Sequence, residues 1–174
     1  MSKYLKIVAV GDHDSKKTEL LLKYTSNCND LQHYNKFLVP QFQNNVYAVV
    51  VDRIERVVQF VDAPAEDDYK TLRKEVFENA DCILLCYSIN SKPTFKNVSK
   101  KWVLEVRQHA PLVPIVLVAT DTETRNNNAA PISTEQGENL KLLIGAYAFV
   151  ECSTRHFLGV DDVFIEAIRS TYPH

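Results

Sequence analysis

The stretch "YLKIVAVGDHDSKKTELLLKYT", residues 4–25, decides the fold. An apolar run, 4–10, passes through a polar loop into a helical pattern. The order is strand, loop, helix, and Lys17-Thr18 stand where a phosphate-binding loop places them. That pattern, G-x-x-x-x-G-K-[ST], asks for a second glycine at position 16, and this chain has Lys16.

Outward from this stretch, apolar runs alternate with helical patterns. "NNVYAVVVD" and "ERVVQFVD" are β-rich and close enough for a hairpin. "DDYKTLRKEVFENA" is helical and polar, and "DCILLCYSI" reads as a buried strand. "KPTFKNVSKKWVLEVRQHA" is amphipathic, with Phe95, Val98, Trp102 and Val106 near helical spacing. "VPIVLVAT" is a strand, and "STEQGENLKLLIG" opens with a capping-box signature, Ser133-x-x-Gln136. "AYAFVEC" is the last strand and "GVDDVFIEAIRSTY" the last helix. The alternation predicts an α/β class: a six-stranded, mostly parallel, doubly wound sheet with one antiparallel hairpin. Ligands of such sheets bind at the carboxyl ends of strands. The opening loop and residues 62–68, 120–124 and 152–155 all fall at such ends.

The 174 residues suit one domain, 1–174. A net charge of −2 gives no reason to expect nucleic acid or a basic membrane face. Only 4 glycines are present, below the roughly 7% of average usage. Such domains normally use glycine in phosphate loops and mobile loops. Cys28, Cys82, Cys86 and Cys152 form no C-x-x-C pair, so the thiols read as free in a reducing compartment. No apolar run reaches the length of a membrane span, and "MSKYLKIVAV" is not a signal peptide. The last cysteine is Cys152, so the chain as given holds no C-terminal prenylation box. The five histidines show no metal-ligand spacing.

Taken together, the segments resemble the Rho family of small GTPases, within the Ras superfamily, over nearly the whole chain. The closest stretches are "KWVLEVRQHAPLVPIVLVAT", "CYSINSKPTFKNV", "DDYKTLR" and "GVDDVFIEAIR". The family's insert helix would fall near residues 126–130, where only a short polar loop stands. The resemblance implies a P-loop GTPase-like domain, with GTP or GDP and Mg²⁺ as the family's ligands. It assigns the nucleotide-binding positions to Gly11, Asp14, Ser15, Lys16, Lys17, Thr18, Thr120, Asp121, Glu123, Ser153 and Thr154. It assigns Mg²⁺ to Thr18, Gln41 and Asp62, and the partner-binding switch surfaces to Phe37, Val39, Phe42, Tyr69 and Leu72. Tyr34 matches the aromatic residue that packs on the base edge.

The matching motifs are altered at nearly every station. His13 stands where most members carry glycine, and Asp14 adds negative charge to a loop that holds polyanions. Lys16 replaces the second glycine, and its Cβ opposes the backbone angles a glycine accepts. Gln41 replaces the Mg²⁺-binding threonine, changing the geometry that hard cations require. "DAPAED" stands for D-T-A-G-Q-E: Pro64 and Ala65 replace Ala-Gly, and Glu66 replaces the glutamine that orients the attacking water. "TDTE" stands for T-K-x-D: Asp121 replaces the lysine that covers the base, and Glu123 the aspartate that reads guanine. Against these stand bland readings: an ordinary polar strand-to-helix loop at 11–18, and a solvated first-turn acid at Glu66.

The expectation is a Rho-like pseudoGTPase in signalling or scaffolding. It would work through partner binding, with no catalytic residue, hydrolysis lost, and nucleotide binding weak or lost. The alternative is a GTP/GDP-binding Rho-type switch with slow hydrolysis, since Lys17, Thr18 and Asp62 survive. The expected location is cytoplasmic, with membrane association if a lipidated tail lies beyond residue 174.

Overall fold

The computed structural model describes residues 4–26, 29–30, 46–127 and 130–173. Strands β1 (Leu5–Val10), β2 (Asn29–Asp30), β3 (Val46–Val51), β4 (Ile54–Asp62), β5 (Cys82–Ser88), β6 (Ile115–Thr120) and β7 (Ala148–Glu151) form one sheet. Their order is β2-β3-β4-β1-β5-β6-β7. Pairs β4-β1, β1-β5, β5-β6 and β6-β7 are parallel, and β3 is antiparallel to β4 and to β2. The six longer strands are those expected; β2 adds two residues at the edge.

The helices are α1 (Lys17–Thr25), α2 (Lys70–Glu78), α3 (Lys92–Asn97), α4 (Val103–His109), α5 (Thr134–Ile144) and α6 (Val160–Arg169). The helix expected over 92–110 is one rod, α3 to α4, interrupted by a π turn at Val98–Trp102. A π turn is wider than an α turn. Here Val98 and Trp102 are buried while Lys100 is exposed. The capping box at Ser133 forms as predicted: its Oγ accepts from Gln136 N at 3.1 Å, and Gln136 Oε1 accepts from Ser133 N at 2.9 Å.

Alternation along the central strands makes two cores. Ile7, Ala9, Leu84 and Cys86 face α1 and α6, where Tyr24 stacks on Phe164 with centroids 3.8 Å apart. Val8, Val10, Ile83, Leu85 and Tyr87 face α2, the α3–α4 rod and α5. Each fully buried large apolar side chain stabilises this packing by about 1.5–3 kcal/mol. Because the parallel strands are covered on both faces, every residue of β5 and β6 is buried. That leaves the strand ends, where loops emerge, as the place for a site.

Candidate functional site

The loop after β1 must turn sharply beneath β5. At Gly11 φ is +155°, and a Cβ there would lie 2.6 Å from Cys86 O, so only glycine fits. Residues His13–Ser15 make one 3-10 turn, with Ser15 N donating to Asp12 O at 3.0 Å. Lys16 then takes φ 65° and ψ 19°, the left-handed region, and α1 begins. Lys16 adopts glycine's angles although its Cβ disfavours them, so loss of the glycine does not abolish the bend. The surrounding fold enforces the bend at a cost of about 1–2 kcal/mol. Thr120 is buried on the far side, its Oγ1 2.8 Å from Ser15 O and 3.1 Å from Tyr87 O.

Lys17 is buried, and its Nζ lies 3.0 Å from Asp62 Oδ1. Thr18 Oγ1 donates to Asp62 Oδ2 at 2.5 Å. The strand ends of β1 and β4 thus bring together three residues assigned from sequence, Lys17, Thr18 and Asp62. Thr18 Oγ1 and Asp62 are hard oxygen donors. Mg²⁺ commonly uses one or two protein oxygens and shares the rest with waters and phosphate. This pair fits such an ion, delivered with a phosphate ligand. Among the described residues, no group of three His, Cys, Asp or Glu side chains forms a metal site by itself.

A pocket of about 200 Å³ opens beside them, lined by His13, Lys17, Thr18, Asp62, Pro64, Ala65 and Glu66. Its wall at 64–66 is held from behind. Arg73, 1% exposed, donates from Nη1 to Pro64 O at 3.0 Å and to Glu66 O at 2.6 Å. The same guanidinium pairs with Glu105, Nε to Oε1 at 2.7 Å, and lies 5.1 Å over the Trp102 ring. Lys101 reaches Asp67 at 3.1 Å and lies 4.4 Å from the same ring centroid. Sequence reading placed Trp102 in the core but missed Arg73 and Glu105. The available signal was a charged residue within an apolar helix face, Glu105 between Trp102 and Val106, and Arg73 before Val76 and Phe77.

At the other end, Asp121 is also left-handed, φ 64°, and its carboxylate accepts from Ser88 Oγ at 2.5 Å. Thr124 Oγ1 donates to Asn90 Oδ1 at 2.7 Å, and Thr122 N to Cys152 O at 3.3 Å. Glu123 Oε2 is buried and has no hydrogen-bond partner among the described residues. Such an orphan acceptor fits a ligand that carries donors, as a nucleobase edge does. Ser153 is fixed by a bridge to Leu158, and its Oγ accepts from His156 N at 3.1 Å; Thr154 is half-buried. Burial pushes the Cys152 thiol up to about 12, so it is no nucleophile at neutral pH.

Asp14 is exposed on the loop, and Tyr69 and Leu72 lie beyond the clamped wall, Tyr69 exposed and Leu72 half-buried. Tyr34, Phe37, Val39, Gln41 and Phe42 lie outside the described residues, as does Cys28. No helix among the described residues is long and apolar enough to cross a membrane. A model of the Ras family matches residues 6–172, which takes in every loop of this site, and the chain belongs to the Ras family of small GTPases.

Proposed function

We propose that this chain is a Rho-type pseudoGTPase over residues 1–174: a signalling or scaffolding protein that binds partners, has lost GTP hydrolysis and binds nucleotide weakly or not at all. The observation that carries this reading is the composition of the pocket beside Lys17. Two carboxylates, Asp62 and Glu66, border it, and the Lys17 ammonium is already engaged by Asp62. A terminal phosphate placed there meets Glu66 where a water-orienting amide is needed, and like charges repel. Ala65 and the clamped carbonyls of Pro64 and Glu66 support the same reading, because the wall lacks a glycine hinge. Partner binding falls to the switch-like surfaces, residues 37–47 and 64–73, with Tyr69 and Leu72 in the second. Single-turnover phosphate release from loaded protein tests the proposal. A rate on the order of 10⁻⁴ s⁻¹, that of an unassisted family member, overturns it.

A second reading, a nucleotide-binding switch with slow hydrolysis, is favoured by two observations. Lys16 keeps the left-handed bend that curls the loop, and Glu123 keeps a buried acceptor without a partner. In that case Gly11, Ser15, Lys16, Lys17 and Thr18 hold phosphates, Thr18 and Asp62 face Mg²⁺, and Glu123 reads the base. The nucleotide content of purified, heat-denatured protein separates the two. Stoichiometric GDP or GTP selects the switch.

A further inference from the structure

We propose that the outward face of the α3–α4 rod docks an acidic polypeptide segment, whose carboxylates pair with Lys92, Lys96 and Lys100 and whose next apolar side chain rests on Leu104. These four residues repeat at intervals of four, and all are exposed, Leu104 at 62%. Among the described residues, none of the three lysines has an ion pair. Solvated helix faces commonly alternate sign, and like charges at this spacing oppose the helix by about 0.2–0.5 kcal/mol per pair. Between residues 92 and 109 the chain has one acid, Glu105, and it is buried against Arg73. The rod therefore shows bases outward and its acid inward, in a protein whose net charge is −2. The stripe is a local feature, not part of a general basic excess.

The neighbours decide the occupant. Asp14 and Glu66 share a pocket with Ser91, Pro93 and Thr94 at the start of the rod, and Asp67 lies against Lys101 on its flank. These exposed acids beside the rod count against a broad anionic surface, membrane or nucleic acid, and favour a single narrow chain whose carboxylates match the line of lysines. Lys92 to Lys100 spans about 12 Å at 1.5 Å per residue. An extended segment covers that with about four residues at roughly 3.3 Å each. The three lysines lie outside the switch-like segments, while Leu104 borders a pocket shared with Asp67 and Lys70 of the second one; the docking does not depend on whether nucleotide is bound or hydrolysed.

The probe is a fluorescein-labelled peptide of glutamates ending in leucine, followed by anisotropy with the full chain at about 50 and 200 mM salt. Binding is expected, weaker at the higher salt. It should fall at least about tenfold in K92Q/K96Q/K100Q, the sum of three modest ion pairs. Leu104→Ala should weaken it a few-fold, and Lys141→Glu, on α5, should leave it unchanged. In the wild type, acetylation by a soluble NHS ester should be slowed by the peptide at Lys92, Lys96 and Lys100 and not at Lys141, a readout that needs no variant. Absent peptide binding, equal binding by the triple variant, or no protection of the three lysines overturns the proposal. Co-sedimentation with phosphatidylserine vesicles in place of peptide binding does so as well.

Discussion

The indole N–H of Trp102 donates to Asp12 Oδ1 at 2.8 Å, while Asn97 Nδ2 donates to the other carboxylate oxygen, also at 2.8 Å. The rod is thereby tied to the phosphate-type loop ninety residues away in sequence. Trp102 carries Arg73 and Lys101 against its ring, so one side chain joins the loop at 11–18 to the wall at 64–67. Trp102→Phe removes the donor and also part of the buried indole volume, so the cost is at least that of the bond. It should destabilise the protein by about 1.5–3 kcal/mol or more, the range for a hydrogen bond to a charged group, read by urea denaturation. A loss below about 0.5 kcal/mol means the bond contributes nothing to stability.

Lys16→Gly should raise stability by up to about 1 kcal/mol. It relieves a left-handed side chain at about 1–2 kcal/mol and gives part of that back as glycine's unfolded-state entropy. Lys16→Ala keeps the Cβ and should bring no gain. Equal stability of the two variants in chemical denaturation defeats the strain argument.

Arg73 and Glu105 form a buried pair, 1% and 7% exposed. Arg73→Met leaves Glu105 charged, buried and without its guanidinium, at a cost of about 3–5 kcal/mol. The double variant R73M/E105L removes both charges and should recover most of that loss. Thermal melts of the three proteins decide it: a double variant as unstable as R73M shows that the charge is not the cause.

The clamp from Arg73 also bears on conformational response. A ligand shifts an equilibrium only by its differential affinity for the two states. With Pro64 and Glu66 carbonyls held from the core side, hydrogen exchange over 62–73 should match without nucleotide, with GDP, and with a non-hydrolysable GTP analogue. Protection by the analogue alone would establish a working switch.

The tip of the β3–β4 hairpin is pinned to the last helix. Arg169 donates to Asp52 from Nε at 2.9 Å and Nη2 at 2.6 Å, and this hydrogen bonding holds the Asp52 carboxyl below its ordinary value. A carboxyl depressed in the folded state stabilises above its unfolded value of about 3.9. That contribution is lost as pH falls through the lower folded value. Asp52→Asn, which tolerates the φ of 52° there, should lower Tm at pH 7. The difference from wild type should vanish in acid below the folded value. A gap in Tm that persists there points to packing, not charge.

The sequence by itself determined the order of strands and helices, the hairpin, the capping box at Ser133 and the positions of the loops at strand ends. These rest on apolar periods and turn chemistry, which are local and need no partner. It also determined which residues stand at 16, 41, 65, 66, 121 and 123. Tertiary structure alone decided what several of them do. Lys16 bends left-handed in a loop held on both sides by distant chain, with Gly11 packed under Cys86 O and Thr120 donating to Ser15 O from 105 residues away. The π turn that interrupts the rod gave no signal in the apolar spacing. Arg73 and Glu105 carry charges whose burial is tolerable only beside the Pro64 and Glu66 carbonyls and each other, and half-buried Asp12 takes its partners from Trp102 and Asn97. Whether a buried charge finds its partner depends on which distant elements the sheet order brings together, and no local pattern carries that information.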